Sequence, residues 1–207
     1  MENIALTASA YYMGAVVTHN VGEIPLTVAA KLGAFILPRF DGADAAALLR
    51  LAKEKNVLCA MDTAWDASGA WMSKIEVSLP YLDWFLPSYG EAVMLSGERD
   101  AARIAKALMD KGVRNVVIKL GAEGCFVSES GEIGYRMPAL KNIAVMDTSG
   151  AGDAFCAGFL AGLAQGWETR RCAELGNALG ALCVTEIGTT TAARPLPDVL
   201  RFAESHR

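Results

Sequence analysis

The sequence predicts an α/β fold with a mainly parallel central sheet covered by helices on both faces. Three observations carry that expectation. Apolar runs of strand length alternate with amphipathic helices over residues 41–120, the joints between them are short, and residues 154–164 form an uncharged segment with no polar side chain. A helix apolar all round has no face to give to water, so it belongs in the interior.

Taken in order, residues 15–18 and 32–37 are strand candidates, with Gly14, Gly22 and Pro25 as breaks. Asp41-Gly42 makes a turn. Ala45, Leu48, Leu49 and Ala52 then fall at helical spacing, on a helix ending near Lys55. Residues 57–61 read as a strand ending at Asp62, and residues 79–86 as a second strand closed by Pro87, before a short helix over 91–96. Ala101, Ile104, Ala105 and Leu108 form the apolar face of the next helix, which Lys111-Gly112 stops. Residues 113–120, rich in Val and Ile, are a strand closed by Gly121. Residues 124–127 and 133–137 pair as a hairpin around Ser130-Gly131. A helix over 169–183 places Cys172, Leu175, Leu179 and Leu182 on one side, with Gly176 and Gly180 permitting close packing. The last helix begins near Pro197. One domain over 207 residues is the simplest organisation, with residues 1–33 the least legible part.

Composition narrows the function classes. The chain is 53% hydrophobic and 20% charged, with a net charge of −4 and no basic run longer than Arg170-Arg171. That balance predicts no nucleic-acid partner. No stretch of 18 apolar residues occurs, which predicts no membrane span. The start Met1-Glu2 lacks the basic region of a signal peptide. Five widely spaced cysteines in apolar contexts, without a C-x-x-C pair, read as buried thiols in a reducing compartment, so the expected location is cytoplasmic. His19 and His206 show no metal-like spacing.

The chemistry concentrates at residues 143–153. A short apolar lead, 143–146, runs into the turn Asp147 to Gly152, and Asp153 opens the uncharged helix. Gly150, Ala151 and Gly152 leave main-chain N–H groups uncovered at a helix N-terminus, which is an anion site suited to phosphate. Asp153 beside it is either a helix cap, a proton acceptor or a metal holder. A dinucleotide fingerprint would need glycine where Phe155 stands, and no Gly-Lys-Ser/Thr occurs for a P-loop. Strand ends elsewhere bring Asp62, Ser88, Glu91, Lys119 and Gly121 toward the carboxyl edge of the predicted sheet, where open parallel sheets bind ligands.

The string D-T-S-G-A-G-D over residues 147–153 resembles the second signature of the PfkB, or ribokinase-like, family of sugar and nucleoside kinases. The resemblance extends over residues 34–190. It implies a ribokinase-like three-layer sandwich, with Gly150, Ala151 and Gly152 as the anion hole and Asp153 as the base that takes the acceptor hydroxyl's proton. Pro87-Ser88-Tyr89-Gly90-Glu91 resembles the family's N-x-x-E segment with Ser88 in place of Asn, which implies that Glu91 helps hold Mg²⁺ through water. Lys119, Gly121 and Gly124 resemble the strand and loop flanking the nucleotide, Asn177 the adenine-side position, and Gly188 the loop closing over it. Asp147 matches a ligand of a monovalent cation such as K⁺.

The implied activity is transfer of the γ-phosphate of ATP to a hydroxyl of a small-molecule sugar. A nucleoside acceptor and a nucleotide-binding relative with impaired turnover are the alternatives. The family's first third, with its glycine-glycine signature, acidic sugar-gripping residue and β lid, is not recognisable here. The exposed strand edge this would leave makes a homo-oligomer an expected arrangement.

Overall fold

The computed structural model describes residues 41–206, together with strand residues 9–10, 13–14 and 29–34. The strand candidate at 15–18 and His19 lie outside the described residues, as do 35–37 of the second candidate. The chain divides into two compact units, Met1–Ile118 with Ser128–Gly134 and Lys119–Val127 with Tyr135–Arg207.

The first unit holds the antiparallel pair β1 (Ser9–Ala10) and β2 (Met13–Gly14), then the parallel strands β3 (Ala29–Ala34), β4 (Leu58–Thr63), β5 (Trp84–Phe85) and β6 (Asn115–Lys119), paired in that order, with the last residue of β6, Lys119, belonging to the second unit. Helix α1 (Ala43–Glu54) precedes β4, the single turn α2 (Met72–Ile75) and a 3-10 segment Glu76–Tyr81 precede β5, and α3 (Tyr89–Ser96) and α4 (Ala101–Met109) precede β6. On α4 the four residues expected to face inward are all buried, and Asp100 caps the helix by accepting the Arg103 N–H at 3.1 Å. On α1 only Ala45 and Leu49 are buried, while Leu48 is 42% exposed. A stripe two residues wide is enough for a helix that leans on β4 and the 3-10 segment.

Several strand ends differ by a residue or two from expectation, and two of the differences bear on the site edge. The 79–86 run is not one strand. Its first part winds into the 3-10 segment around Pro80, and only Trp84–Phe85 pair. Proline supplies no N–H to a ladder, so a long strand cannot run through that position in the middle of a sheet. Residues 58–63 pair instead of 57–61, carrying Asp62 and Thr63 into the ladder of β4.

The second unit contains the hairpin strands β7 (Cys125–Ser128) and β8 (Tyr135–Met137), antiparallel as expected, and the helices α5 (Ala151–Ala164), α6 (Thr169–Cys183) and α7 (Leu196–Ser205). None of residues 154–164 is exposed, as a helix without a polar face requires. Helices α5 and α6 meet along a seam of small residues. A Cβ added at Gly158 would lie 2.7 Å from the Leu175 carbonyl oxygen and 3.0 Å from Gly176 Cα, and one at Gly176 would lie 3.0 Å from the Phe155 carbonyl oxygen. Only glycine lets two backbones approach that closely. The far side of α6 packs with α7 through Leu175, Ala178, Leu182, Val199 and Ala203.

Candidate active site

Helix α5 starts at Ala151, two residues before the expected opening at Asp153. Its N-cap is Gly150, at φ +77°, and the backbone carbonyl of Gly150 accepts the Ala154 N–H at 2.8 Å. Glycine is required there twice over, because a side chain would be strained at that φ and its Cβ would meet Thr189 at 2.8 Å. Asp153 is therefore the third helical residue, exposed, and not the cap. First-turn N–H groups have no preceding helical carbonyl, and the helix dipole adds positive potential at the same place. Of the three expected donors, Ala151 makes a 3.3 Å turn bond to the Thr148 carbonyl. Beside Gly152 lies Lys119. A Cβ at Gly152 would stand 3.3 Å from Lys119 Nζ, so the missing side chain is what gives the ammonium access to the helix start. Lys119 Nζ also lies 3.7 Å from Cys156 Sγ.

Asp147 organises the turn. Its Oδ1 accepts the Ser149 N–H at 2.9 Å and its Oδ2 the Gly188 N–H at 3.1 Å. These bonds, the Ser149 N–H foremost, hold its carboxyl below the usual carboxylate range. Cys183 Sγ lies 3.5 Å from the Ser149 carbonyl and 3.6 Å from that of Thr189. Burial, then the negative charges of Asp147 and Asp153, push this thiol upward. The apolar lead before the turn is not buried. Val145 and Met146 are more than 60% exposed, and Met146 N–H bonds the Val184 carbonyl at 2.8 Å.

Two of the residues matched to a nucleotide site also have a packing role. Asn177 is buried on α6, and its Nδ2 donates to the Pro138 carbonyl at 3.0 Å and the Met137 carbonyl at 3.4 Å. A Cβ at Gly124 would collide with the Met137 carbonyl at 2.1 Å. Both therefore hold the end of β8. Gly121 begins a 3-10 turn, Gly121–Glu123, and the Leu120 N–H bonds the Gly124 carbonyl at 2.8 Å.

Within the first unit, Glu91 is the third residue of α3. Its Oε2 accepts the Ser88 N–H at 2.9 Å and the Thr63 hydroxyl at 2.7 Å. The first bond belongs to a capping box. The second ties the helix to the carboxyl end of β4, beside Asp62, which is 6% exposed and accepts the Thr63 N–H at 2.8 Å. Sequence reasoning missed Thr63, although its place one residue beyond Asp62 was the available signal. Among the described residues no group of three or more His, Cys, Asp or Glu is placed to hold a metal ion.

A glycine turn at the start of a long buried helix, flanked by a lysine and followed by an aspartate, is what the α/β fold assembles from the residues singled out in the sequence. The sequence matches the pfkB family carbohydrate kinases over residues 16–196, and the chain belongs to that family. It is 37% identical over 125 residues to 2-dehydro-3-deoxygluconokinase of Bacillus subtilis (strain 168), covering 60% of this chain and 38% of that one. It is 40% identical over 106 residues to an uncharacterized sugar kinase of Archaeoglobus fulgidus, covering 50% and 40%. The alignments thus span about two fifths of the relatives' length. Among solved structures, ribokinase of Arabidopsis thaliana, complexed with ribose and ATP, superposes with a TM-score of 0.74 at 23% identity, over 85% of this chain and 55% of that one. The fold is ribokinase-like.

Proposed function

We propose that the chain is a phosphotransferase that moves the γ-phosphate of ATP to a hydroxyl of a carbohydrate, with the turn at 150–152 as anion hole and Asp153 as base. The observation that carries this reading is the pairing of Gly150 in the left-handed region with Lys119 Nζ against Gly152. Main-chain donors, a helix dipole and an ammonium are a donor set for a polyphosphate, and the cradle exists because no Cβ fills it.

Phosphoryl transfer asks the protein for positioning, counter-charge and a path for one proton. The N–H groups at the start of α5 would hold the transferring group as its charge redistributes, and Lys119 would balance that charge. Asp153, exposed at the helix start, takes the proton as the acceptor oxygen bonds to phosphorus. The bridging P–O bond breaks, and ADP leaves with its electron pair. Mg²⁺, when bound, would supply further counter-charge on the phosphates. Glu91 suits a water-held Mg²⁺, because its bonds through Oε2 orient a carboxylate that has about four acceptor sites in all. Asp147, already anchored through both oxygens, is the residue proposed to touch a monovalent cation. Asn177, Gly121, Gly124 and Gly188 are proposed to line the nucleotide.

The test is ADP release with Mg-ATP and individual sugars and nucleosides, run beside Asp153→Asn and a nucleotide-binding titration. Acceptor-dependent turnover that falls roughly 10²-fold to 10⁴-fold in Asp153→Asn, with nucleotide affinity kept, upholds the assignment. Equal rates in the two proteins overturn the base, and binding without turnover overturns the kinase.

A further inference from the structure

At the amino ends of β4, β5 and β6 the first unit carries an open cavity of about 580 Å³, and every residue lining it belongs to that unit. The size suits a small molecule. Its back wall is fixed by bonds within the protein. Asp83, the residue before β5, accepts the Lys53 ammonium at 2.7 Å and 2.8 Å and the Cys59 N–H at 2.8 Å. Asn115, which opens β6, donates from Nδ2 to the Asp83 carbonyl at 2.8 Å, and its Oδ1 accepts the Ser130 N–H at 3.1 Å. That second bond ties the tip of the β7–β8 hairpin to the start of β6.

Arg114 lines the cavity from the side of β6, where its N–H bonds the Leu82 carbonyl at 3.2 Å. Glu129 and Glu132 line it from the hairpin tip, where the Glu132 N–H bonds the Glu129 carbonyl at 3.1 Å. The backbone is thus held on both sides, yet the guanidinium and the two carboxylates do not reach one another. Among the described residues no ion pair or side-chain hydrogen bond engages any of the three. Asp66 and Glu91 of the same unit, by contrast, are used internally. Asp66, 4% exposed in the loop 64–71 between β4 and α2, accepts the Ser68 hydroxyl at 2.7 Å, the Ser68 N–H at 3.0 Å, the Trp71 N–H at 2.7 Å and the Lys74 ammonium at 3.1 Å. Glu91 is engaged by Ser88 and Thr63. A solitary exposed charge commonly lacks a partner. What distinguishes Arg114, Glu129 and Glu132 is that both signs are held across one cavity.

That donor set selects a class of ligand. A bare metal ion does not fit, since among the described residues no three His, Cys, Asp or Glu converge to hold one. A simple anion would meet the glutamates, and the lining sets two cations against three carboxylates, one negative charge in excess. An ammonium suits Glu129 and Glu132, and a carboxylate suits the planar fork of Arg114. Val57 and Leu58 add an apolar strip for a short aliphatic chain. We propose that this cavity binds a free α-amino acid, its ammonium on Glu129 and Glu132 and its carboxylate on Arg114, with basic amino acids preferred. The site is separate from the carboxyl edge of these strands, which carries Asp62, Thr63 and Glu91, and it does not rest on the phosphotransfer reading.

The experiment is titration calorimetry of the full chain with L-lysine, L-alanine, L-glutamate, butylamine and acetate. It is run on wild type, Arg114→Met, the double variant Glu129→Gln/Glu132→Gln, and Lys119→Met. The expected order of affinity is lysine, alanine, glutamate, with butylamine and acetate each at least about ten-fold weaker than lysine. Arg114→Met and the double variant should each weaken lysine binding about ten-fold, and Lys119→Met should leave it unchanged. Thermal melting checks that each variant is folded, and Arg114→Lys, which keeps the charge but not the fork, replaces Arg114→Met if that variant is not. No binding of any amino acid to wild type overturns the site. So does butylamine or glutamate binding as tightly as lysine, or lysine affinity kept in the Arg114 variant or the double variant. Affinity lost in Lys119→Met alone places the compound at the glycine turn and overturns the site as well.

Discussion

Asp147 and Gly188 are 41 residues apart in sequence, yet the Gly188 N–H donates to Asp147 Oδ2 at 3.1 Å while the other carboxylate oxygen holds the Ser149 N–H. One side chain thereby joins the loop after α6 to the turn before α5. Replacing it by Asn leaves one oxygen for two donors and turns an NH₂ toward one of them. Asp147→Asn is expected to weaken nucleotide binding roughly ten-fold, read by titration calorimetry. Unaltered affinity would show that the turn holds its shape without this bond.

The seam between α5 and α6 predicts a stability effect remote from any ligand. Gly158→Ala drives a methyl to 2.7 Å from the Leu175 carbonyl, a main-chain atom that cannot swing aside. The expected loss is about 1–3 kcal/mol or more in urea denaturation. Gly131→Ala, at φ +84° but with nothing within 4 Å of the new Cβ, should cost about 1 kcal/mol. Equal losses in the two variants would remove close packing as the cause.

Acid should spare the 64–71 loop until well below the pH at which carboxylates normally titrate. Burial opposes ionisation of Asp66, but the Ser68 hydroxyl, the Trp71 N–H and the Lys74 ammonium together hold its carboxyl far below the ordinary range. A depressed folded-state pKa contributes stability that is complete above the unfolded value, about 3.9, and is lost only as pH falls through the folded value. The near-ultraviolet circular dichroism of Trp65 and Trp71 should therefore persist at about pH 4 and fade only in stronger acid. Asp66→Ala, which orphans buried donors at roughly 1–3 kcal/mol each, should lose that signal at neutral pH.

All five cysteines are buried and none forms a disulfide. Burial, reinforced by the charge of Asp83 and opposed by Lys53, pushes the Cys59 thiol up to about 11, and burial pushes Cys125 up to about 12. Because the thiolate is the reactive form, a disulfide reagent at pH 8 should find almost no fast thiol in the native protein. Denaturation should release five. Fast reaction of the native chain would mean that a buried thiol opens readily to solvent.

The elements legible in the sequence were those whose cause is local. The apolar face of α4 and the limits of α6 follow from helical spacing, and the β7–β8 hairpin from the turn residues at its tip. The glycine turn itself is legible in the sequence, but the start of α5 is not. The left-handed conformation that makes Gly150 the cap depends on the packing of Thr189 against it, which no local pattern shows. The 79–86 run misled because a buried apolar stretch has the same composition whether it pairs or winds. Asp66 escaped notice because its value lies in four partners that only the folded loop brings together. Asn177 was singled out for a ligand, and its bonds to the Met137 and Pro138 carbonyls depend on a segment forty residues away, beyond the reach of any local pattern.

The contact of α5 with α6 also restricts how this sequence can drift. Along that line a side chain on one helix meets main chain on the other, so enlarging a residue on either helix alone is penalised at once. Accommodating a larger residue would require the two helices to move apart, and α5 cannot shift without carrying the start of the glycine turn with it. Paths of single substitutions can therefore remodel the exposed faces of this unit freely while the distance between its two central helices stays frozen.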